Sequence, residues 1–266
     1  MSIVDAIILG IIQGLTEFLP VSSSGHLELG KVILGQELEA GLLFSVILHA
    51  ATALSTIVIF RKDIYEILVG IFKFKWNKSW EFAVKIIISM VPVFIVGVFL
   101  KDEIEVLFEG QVLLVGSMLI ITGLLLLLTN YFGNKEGQEV NYFQAFLIGI
   151  SQAIAVLPGI SRSGATISTA LILGVGKSQA ARFSFLMVLL PIIGATILEM
   201  KDYFEMGDAA QRVSVVALVT GFTAAFITGL FACTWMINLV KKGKLAYFAL
   251  YCFVVGGIAI AYTFFK

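Results

Sequence analysis

Long apolar runs separated by short charged stretches dominate the pattern along this chain. Six of them, 42–60, 84–100, 111–132, 180–200, 213–240 and 246–264, approach or exceed the roughly 20 residues that carry a helix across a bilayer. Two further apolar stretches, 1–37 and 142–177, do not fit that template, because each is interrupted near its middle by proline, serine and glycine. In each, an apolar helix of about 14 residues is expected to meet a proline, Pro20 or Pro158. A Ser/Gly run and a second apolar arm follow. Non-helical backbone at membrane depth persists only where protein or a water-filled cavity encloses it, so each stretch is read as a re-entrant hairpin.

Composition agrees that the solvent is lipid. Apolar residues make up 59% of the 266 and charged residues only 14%, against about 25% charge in soluble domains. Mean hydropathy is +1.01. A formal charge of zero leaves no footprint for nucleic acid. The start of the chain, Met1 to Asp5, has no basic flank, so no cleavable signal is expected there. Cys233 and Cys252 sit inside apolar runs and read as packing residues.

The basic residues set an orientation. Arg61, Lys62, Lys73, Lys75, Lys78 and Lys85 form the densest cluster, and Lys241, Lys242 and Lys244 the next. Both are expected to face the cytoplasm. The segments holding Lys101, Asp102, Glu103, Glu105 and Glu109, and Lys201 and Arg212, then lie outside.

The two broken stretches are related. A shift of 139 positions places Ala6 on Ala145, Gly10 on Gly149 and Gln13 on Gln152. Ser22, Ser24 and Gly25 fall on Ser161, Ser163 and Gly164, and Phe44-Ser45 on Phe183-Ser184. One hairpin followed by three spans in each copy makes the copies inverted in the membrane. The expected fold is an all-α integral membrane protein of one domain, 1–266, with six transmembrane helices plus two re-entrant helical hairpins. Residues 1–132 form the first inverted-topology repeat, with hairpin 1–37, and 142–266 the second, with hairpin 142–177. Broken segments in such architectures meet near the midplane and build the site.

The hairpins carry the polar chemistry. In the first, Gln13 and Glu17 are four residues apart and share a helical face, followed by Ser22, Ser23, Ser24, Gly25 and His26. An intramembrane carboxylate is a functional candidate by default. His49, in an ordinary apolar run, reads as a packed or capping residue. In the second hairpin Arg162 stands at the break between Ser161 and Ser163, with Thr166 one turn on. A guanidinium at this depth requires an anion, and its planar fork suits phosphate. The arm starting near Gly164 would aim its amide groups at the same point. The anion is a ligand, or Glu17 itself in an internal ion pair. Together these groups suit phosphoryl transfer on a lipid phosphate, with Glu17 as metal ligand or base and a serine or His26 as nucleophile.

At these residues the chain resembles the undecaprenyl-pyrophosphate phosphatases, also called bacitracin-resistance proteins. Their E/Q-x-x-x-E motif corresponds to Gln13–Glu17, running into Ser22-Ser23-Ser24-Gly25-His26. Their P-G-x-S-R-S-x-x-T motif is matched at each fixed position from Pro158 to Thr166. The resemblance covers essentially the whole chain. It implies conversion of undecaprenyl pyrophosphate to the monophosphate lipid carrier of cell-wall synthesis, and with it bacitracin resistance. It also implies a divalent cation, Mg²⁺ or Ca²⁺, and a site in the inner membrane open to the outer face. Carried over, Glu17 is the metal or base carboxylate and Ser23 or His26 the nucleophile or its base. Arg162, with Ser161 and Ser163, holds the pyrophosphate, and Ser22, Ser24 and Thr166 are further polar contacts. Gln13 replaces the motif's acidic alternative and is expected to hydrogen-bond rather than ligate metal. The lipid substrate and the surrounding membrane lipid are the expected partners, and a homodimer is left open.

Two other readings compete. A lipid-phosphate transporter without hydrolysis would share the inverted architecture, but would not require the hydroxyl-rich, arginine-bearing second hairpin. A lipid phosphatase of the phosphatidic-acid type would need histidine six residues beyond its arginine, where Ser168 stands.

Overall fold

The computed structural model describes residues 1–34, 42–100, 103–104, 106–108, 111–132, 138–205 and 214–265. Residues 35–37 of the first hairpin, and Lys101, Asp102, Glu105, Glu109 and Arg212 of the expected outer loops, lie outside the described residues. The described chain is helical, without strands. Its first half runs α1 (Ile3–Thr16), α2 (Ser23–Leu34), α3 (Leu42–Ile59), α4 (Arg61–Ile71), α5 (Lys78–Phe99) and α6 (Val112–Phe132). The second runs α7 (Tyr142–Ile154), α8 (Arg162–Ile172), α9 (Lys177–Glu205), α10 (Val215–Lys241) and α11 (Ala246–Phe265).

Among the described residues five helices, α5, α6, α9, α10 and α11, are long and apolar enough to cross a bilayer. A sixth span results if α3 and α4, bent by 75° at Phe60, count as one. The protein is therefore a multi-pass membrane protein. Large side chains left exposed on these helices, such as Phe94, Phe231 and Ile258, give an apolar outer surface that suits lipid. The basic cluster expected as a loop differs from that reading, because Arg61–Ile71 is helical. Its Asp63 pairs with Arg182 at 2.5 Å, and Arg182 also stacks 4.8 Å over the Phe82 ring, which ties α4, α5 and α9 at this end. Lys201, expected in a loop, belongs to α9, which extends to Glu205.

The helices of the two halves interleave. α1 packs mainly on α10, and α7 mainly on α5, so each hairpin's first arm lies against a span of the other half. Close approach depends on small residues, as in other membrane bundles. A Cβ on Gly10 would come within 2.5 Å of the Gly221 carbonyl oxygen, and one on Gly14 equally near that of Ala225. On the other side a Cβ on Gly149 would collide with the Ser89 carbonyl oxygen. α6 and α11 meet at Gly116 and Gly256.

α1 and α7 start the same way. Ser2 and Asp5 form a capping box on α1, and Asn141 and Gln144 form one on α7. Both helices stop four residues before their proline, and neither reaches across a bilayer alone.

Candidate active site

The two hairpin tips interlock. A Cβ on Gly25 would touch the Gly159 Cα at 3.1 Å, and one on Gly164 would touch the Pro20 ring at 3.2 Å. The Ser163 hydroxyl donates across the junction to the Leu19 carbonyl at 3.3 Å. Gly159 has φ +95°, and the Val115 carbonyl lies 2.5 Å from where a Cβ would stand. Only glycine fits both conditions. Thr122 of α6 pins this turn, donating to the Gly159 carbonyl (3.2 Å) and accepting from the Ser161 amide (3.1 Å).

Glu17 closes the C-terminus of α1, and its side chain is only 4% exposed. Its carboxylate receives three donors. Oε1 accepts from Arg162 Nη2 at 3.1 Å, and Oε2 accepts from Ser23 Oγ at 2.5 Å and Gln13 Nε2 at 3.0 Å. Four of the candidate residues are therefore one hydrogen-bonded unit built from both hairpins. The anion opposite Arg162 is Glu17 itself. A carboxylate this deep is tolerable because each oxygen is satisfied and the adjacent guanidinium neutralises it. Gln13 is fully buried, and its Oε1 has no hydrogen-bond partner among the described residues.

The other candidates are arranged around this unit. Ser22 takes φ 69°, the left-handed region that a residue with a Cβ seldom enters. Its hydroxyl lies 3.3 Å from that of Ser24 and accepts from the Gly25 amide at 3.3 Å, helping to turn the chain into α2. His26 points elsewhere. Its Nδ1 bonds the Ser22 carbonyl and its Nε2 the Tyr251 hydroxyl, both at 2.8 Å. In the second hairpin α8 starts two residues earlier than expected, with Ser161 as its N-cap accepting from the Gly164 amide at 3.0 Å. Arg162 consequently occupies the first helical position. Ser161 and Ser163 hydroxyls are 3.2 Å apart. The Thr166 hydroxyl donates to the Arg162 carbonyl at 2.9 Å, within its own helix.

Three contributors escape a reading of the sequence. Thr122 and Tyr251 lie in uniformly apolar runs, where hydroxyls are common and carry no signal. His49, expected to be a packing residue, lies within electrostatic reach of Glu17. Its position four residues after Ser45 and three before Thr52 marks a polar stripe along α3, the one pattern that could have exposed it.

This constellation can hold an anion at Arg162 and draw a proton from Ser23 to Glu17. The chain is similar to known proteins along nearly its whole length. The sequence profile of the family described as "Bacitracin resistance protein BacA" matches residues 6–258. A protein of Christiangramia forsetii named undecaprenyl-diphosphatase is 59% identical over 266 residues, covering 99% of each chain. One of the same name from Parabacteroides distasonis is 48% identical over the full length of both. A third, from Methanococcus vannielii, is 42% identical over 97% of this chain and 99% of its own. With its profile match spanning nearly the whole sequence and its motif residues gathered at one point, the chain belongs to the bacitracin resistance protein BacA family.

Proposed function

We propose that the protein hydrolyses undecaprenyl pyrophosphate to undecaprenyl phosphate and inorganic phosphate, with Ser23 as nucleophile and Glu17 as its base. The observation that carries this reading is the 2.5 Å bond from Ser23 Oγ to Glu17 Oε2. Ser23 Oγ attacks the terminal phosphorus as its proton passes to Glu17. The bond from that phosphorus to the bridging oxygen breaks, and the monophosphate lipid leaves. Water then attacks the phosphoserine, inorganic phosphate departs, and Ser23 recovers its proton. Arg162 binds the terminal phosphate, and charge developing on its oxygens is stabilised by the guanidinium. His26 is not placed to take the Ser23 proton, since both its ring nitrogens are engaged elsewhere.

A divalent cation fits this site only jointly with the substrate. Among the described residues no group of three or more His, Cys, Asp or Glu side chains converges. Glu17 and the unpartnered Gln13 Oε1 offer two hard oxygens, and Mg²⁺ characteristically uses one or two protein oxygens plus substrate phosphates. Such an ion, when bound, would neutralise pyrophosphate charge. Gln13 would then hold the ion together with Glu17, to which it also donates a hydrogen bond.

The wider architecture is read as an inverted repeat, with the basic α3–α4 corner cytoplasmic and the site open to the outer face of the inner membrane. The exchange of partners between halves, α1 on α10 and α7 on α5, supports duplication. So do the matching interruptions after Thr16 and Ile154. The test is phosphate release from farnesyl pyrophosphate by detergent-purified protein with Mg²⁺ or Ca²⁺. Detergent removes any gradient, so transport cannot contribute. Turnover that is lost in Arg162→Ala supports the reading. Absence of turnover by folded, lipid-binding protein overturns it.

A further inference from the structure

Tyr251 lies in the second turn of α11, a helix that otherwise packs on α6, yet this tyrosine reaches the first hairpin. Its ring stacks on the His26 imidazole, centroids 5.5 Å apart at 14°, and its hydroxyl lies 2.8 Å from Nε2. The next residue, Cys252, directs its thiol to the Pro20 carbonyl at 3.7 Å, so α11 grips the hairpin on both sides of the serine run.

The hydrogen bonds define the imidazole's state. A carbonyl oxygen can only accept, so Nδ1, 2.8 Å from the Ser22 carbonyl, carries a proton. In the neutral ring Nε2 is then an acceptor, and the Tyr251 hydroxyl donates to it. Tyr251 is 43% exposed and His26 half-buried, whereas Ser23 and Glu17 are buried. The Tyr–His pair thus forms the more open edge of the site. Ser22, whose carbonyl holds Nδ1, is the residue forced to φ 69°. Strain of this kind persists where surrounding contacts over-determine it, and the Tyr251–His26–Ser22 chain is one such set of contacts.

We propose that Tyr251 is a positioning residue for the hydrolysis, fixing His26 as its Nδ1–H tautomer with Nε2 turned away from the Ser23–Glu17 pair. This rests on the reading of that pair as the hydrolytic centre. Held this way, His26 does not compete for the Ser23 proton. Tyr251→Phe keeps the stacked ring and removes only the hydroxyl, so folding is preserved.

Two measurements test it. In a double-mutant cycle, Tyr251→Phe lowers kcat/KM about fivefold, the scale of one net hydrogen bond, but leaves the His26→Ala enzyme unchanged. A merely structural tyrosine would lower both backgrounds by the same factor. The chain has two histidines, so ¹⁵N-histidine labelling yields a two-residue ring spectrum, assigned with His49→Gln. Wild-type His26 is expected as the Nδ1–H tautomer with a hydrogen-bonded Nε2. In Tyr251→Phe that Nε2 signal moves to the position of a free ring nitrogen while His49 stays put. The spectrum decides the question even if His26→Ala has no measurable turnover. An Nε2–H tautomer in the wild type, or a His26 signal indifferent to Tyr251→Phe, overturns the proposal. Ser23→Ala runs alongside as a control: full turnover there would sink the hydrolytic-centre reading, a distinct failure.

Discussion

Removing Arg162 should destabilise the fold as well as abolish turnover, and the instability should be curable by a second substitution at Glu17. Glu17 is 4% exposed at its side chain and Arg162 26%. In Arg162→Ala the carboxylate stays buried with Ser23 and Gln13 as donors but without its counter-charge. Breaking a fully buried pair costs about 3–5 kcal/mol, and the partial exposure of Arg162 reduces that to about 2–3 kcal/mol. For a chain of 266 residues this corresponds to a melting shift of roughly 4–6 °C. Glu17→Gln removes the charge that needs neutralising and leaves the guanidinium with its own access to water, so its shift should be under about 2 °C. Arg162→Ala with Glu17→Gln should recover most of the lost stability while remaining inactive. The buried thiols of Cys233 and Cys252 supply the assay, because a thiol-reactive dye reports their exposure during a melt in detergent. A double variant as unstable as Arg162→Ala alone would refute the reasoning.

Other expectations follow from the packing and from the ion. Gly149→Val drives a side chain into the Ser89 backbone and should cost about 1–3 kcal/mol in the same melt. Gly97→Ala, with nothing within 4 Å of its new Cβ, should be neutral or slightly stabilising. EDTA should stop turnover reversibly yet leave the substrate-free melting midpoint unmoved, because no described cluster of three ligands would hold an ion in the free protein.

The sequence makes the hairpins legible for a physical reason. Proline, serine, glycine and charge within an apolar run are costly in lipid, so Pro20, Glu17, Pro158 and Arg162 stand out against their surroundings. Their meeting at one point was expected from the repeat, and the Glu17–Arg162 pair and the Ser163–Leu19 bond are its concrete form. Thr122 was illegible because a threonine hydroxyl on an apolar helix ordinarily bonds its own backbone, as Thr52 and Thr56 do here, and Tyr251 because nothing in its apolar run sets it apart from Tyr247 and Tyr262 of the same helix. The contact that gives Tyr251 its significance spans 225 residues, a separation no local pattern encodes. The α4 helix was hidden differently. Its Arg61 and Lys62, with the lysines that follow it, mark a loop by charge, while its apolar face has the helical spacing Ile64, Ile67 and Ile71 that leaves it packed at the bundle's edge.

The most direct test of the hydrolytic account is to catch the covalent intermediate. Isoprenyl pyrophosphate labelled in its terminal phosphate is mixed with protein at low temperature, quenched in acid within milliseconds, and the labelled peptide mapped. The account predicts acid-stable phosphoserine at residue 23, absent in Ser23→Ala and diminished in Glu17→Gln. Acid-labile label at His26, or undiminished turnover by Ser23→Ala, would contradict it.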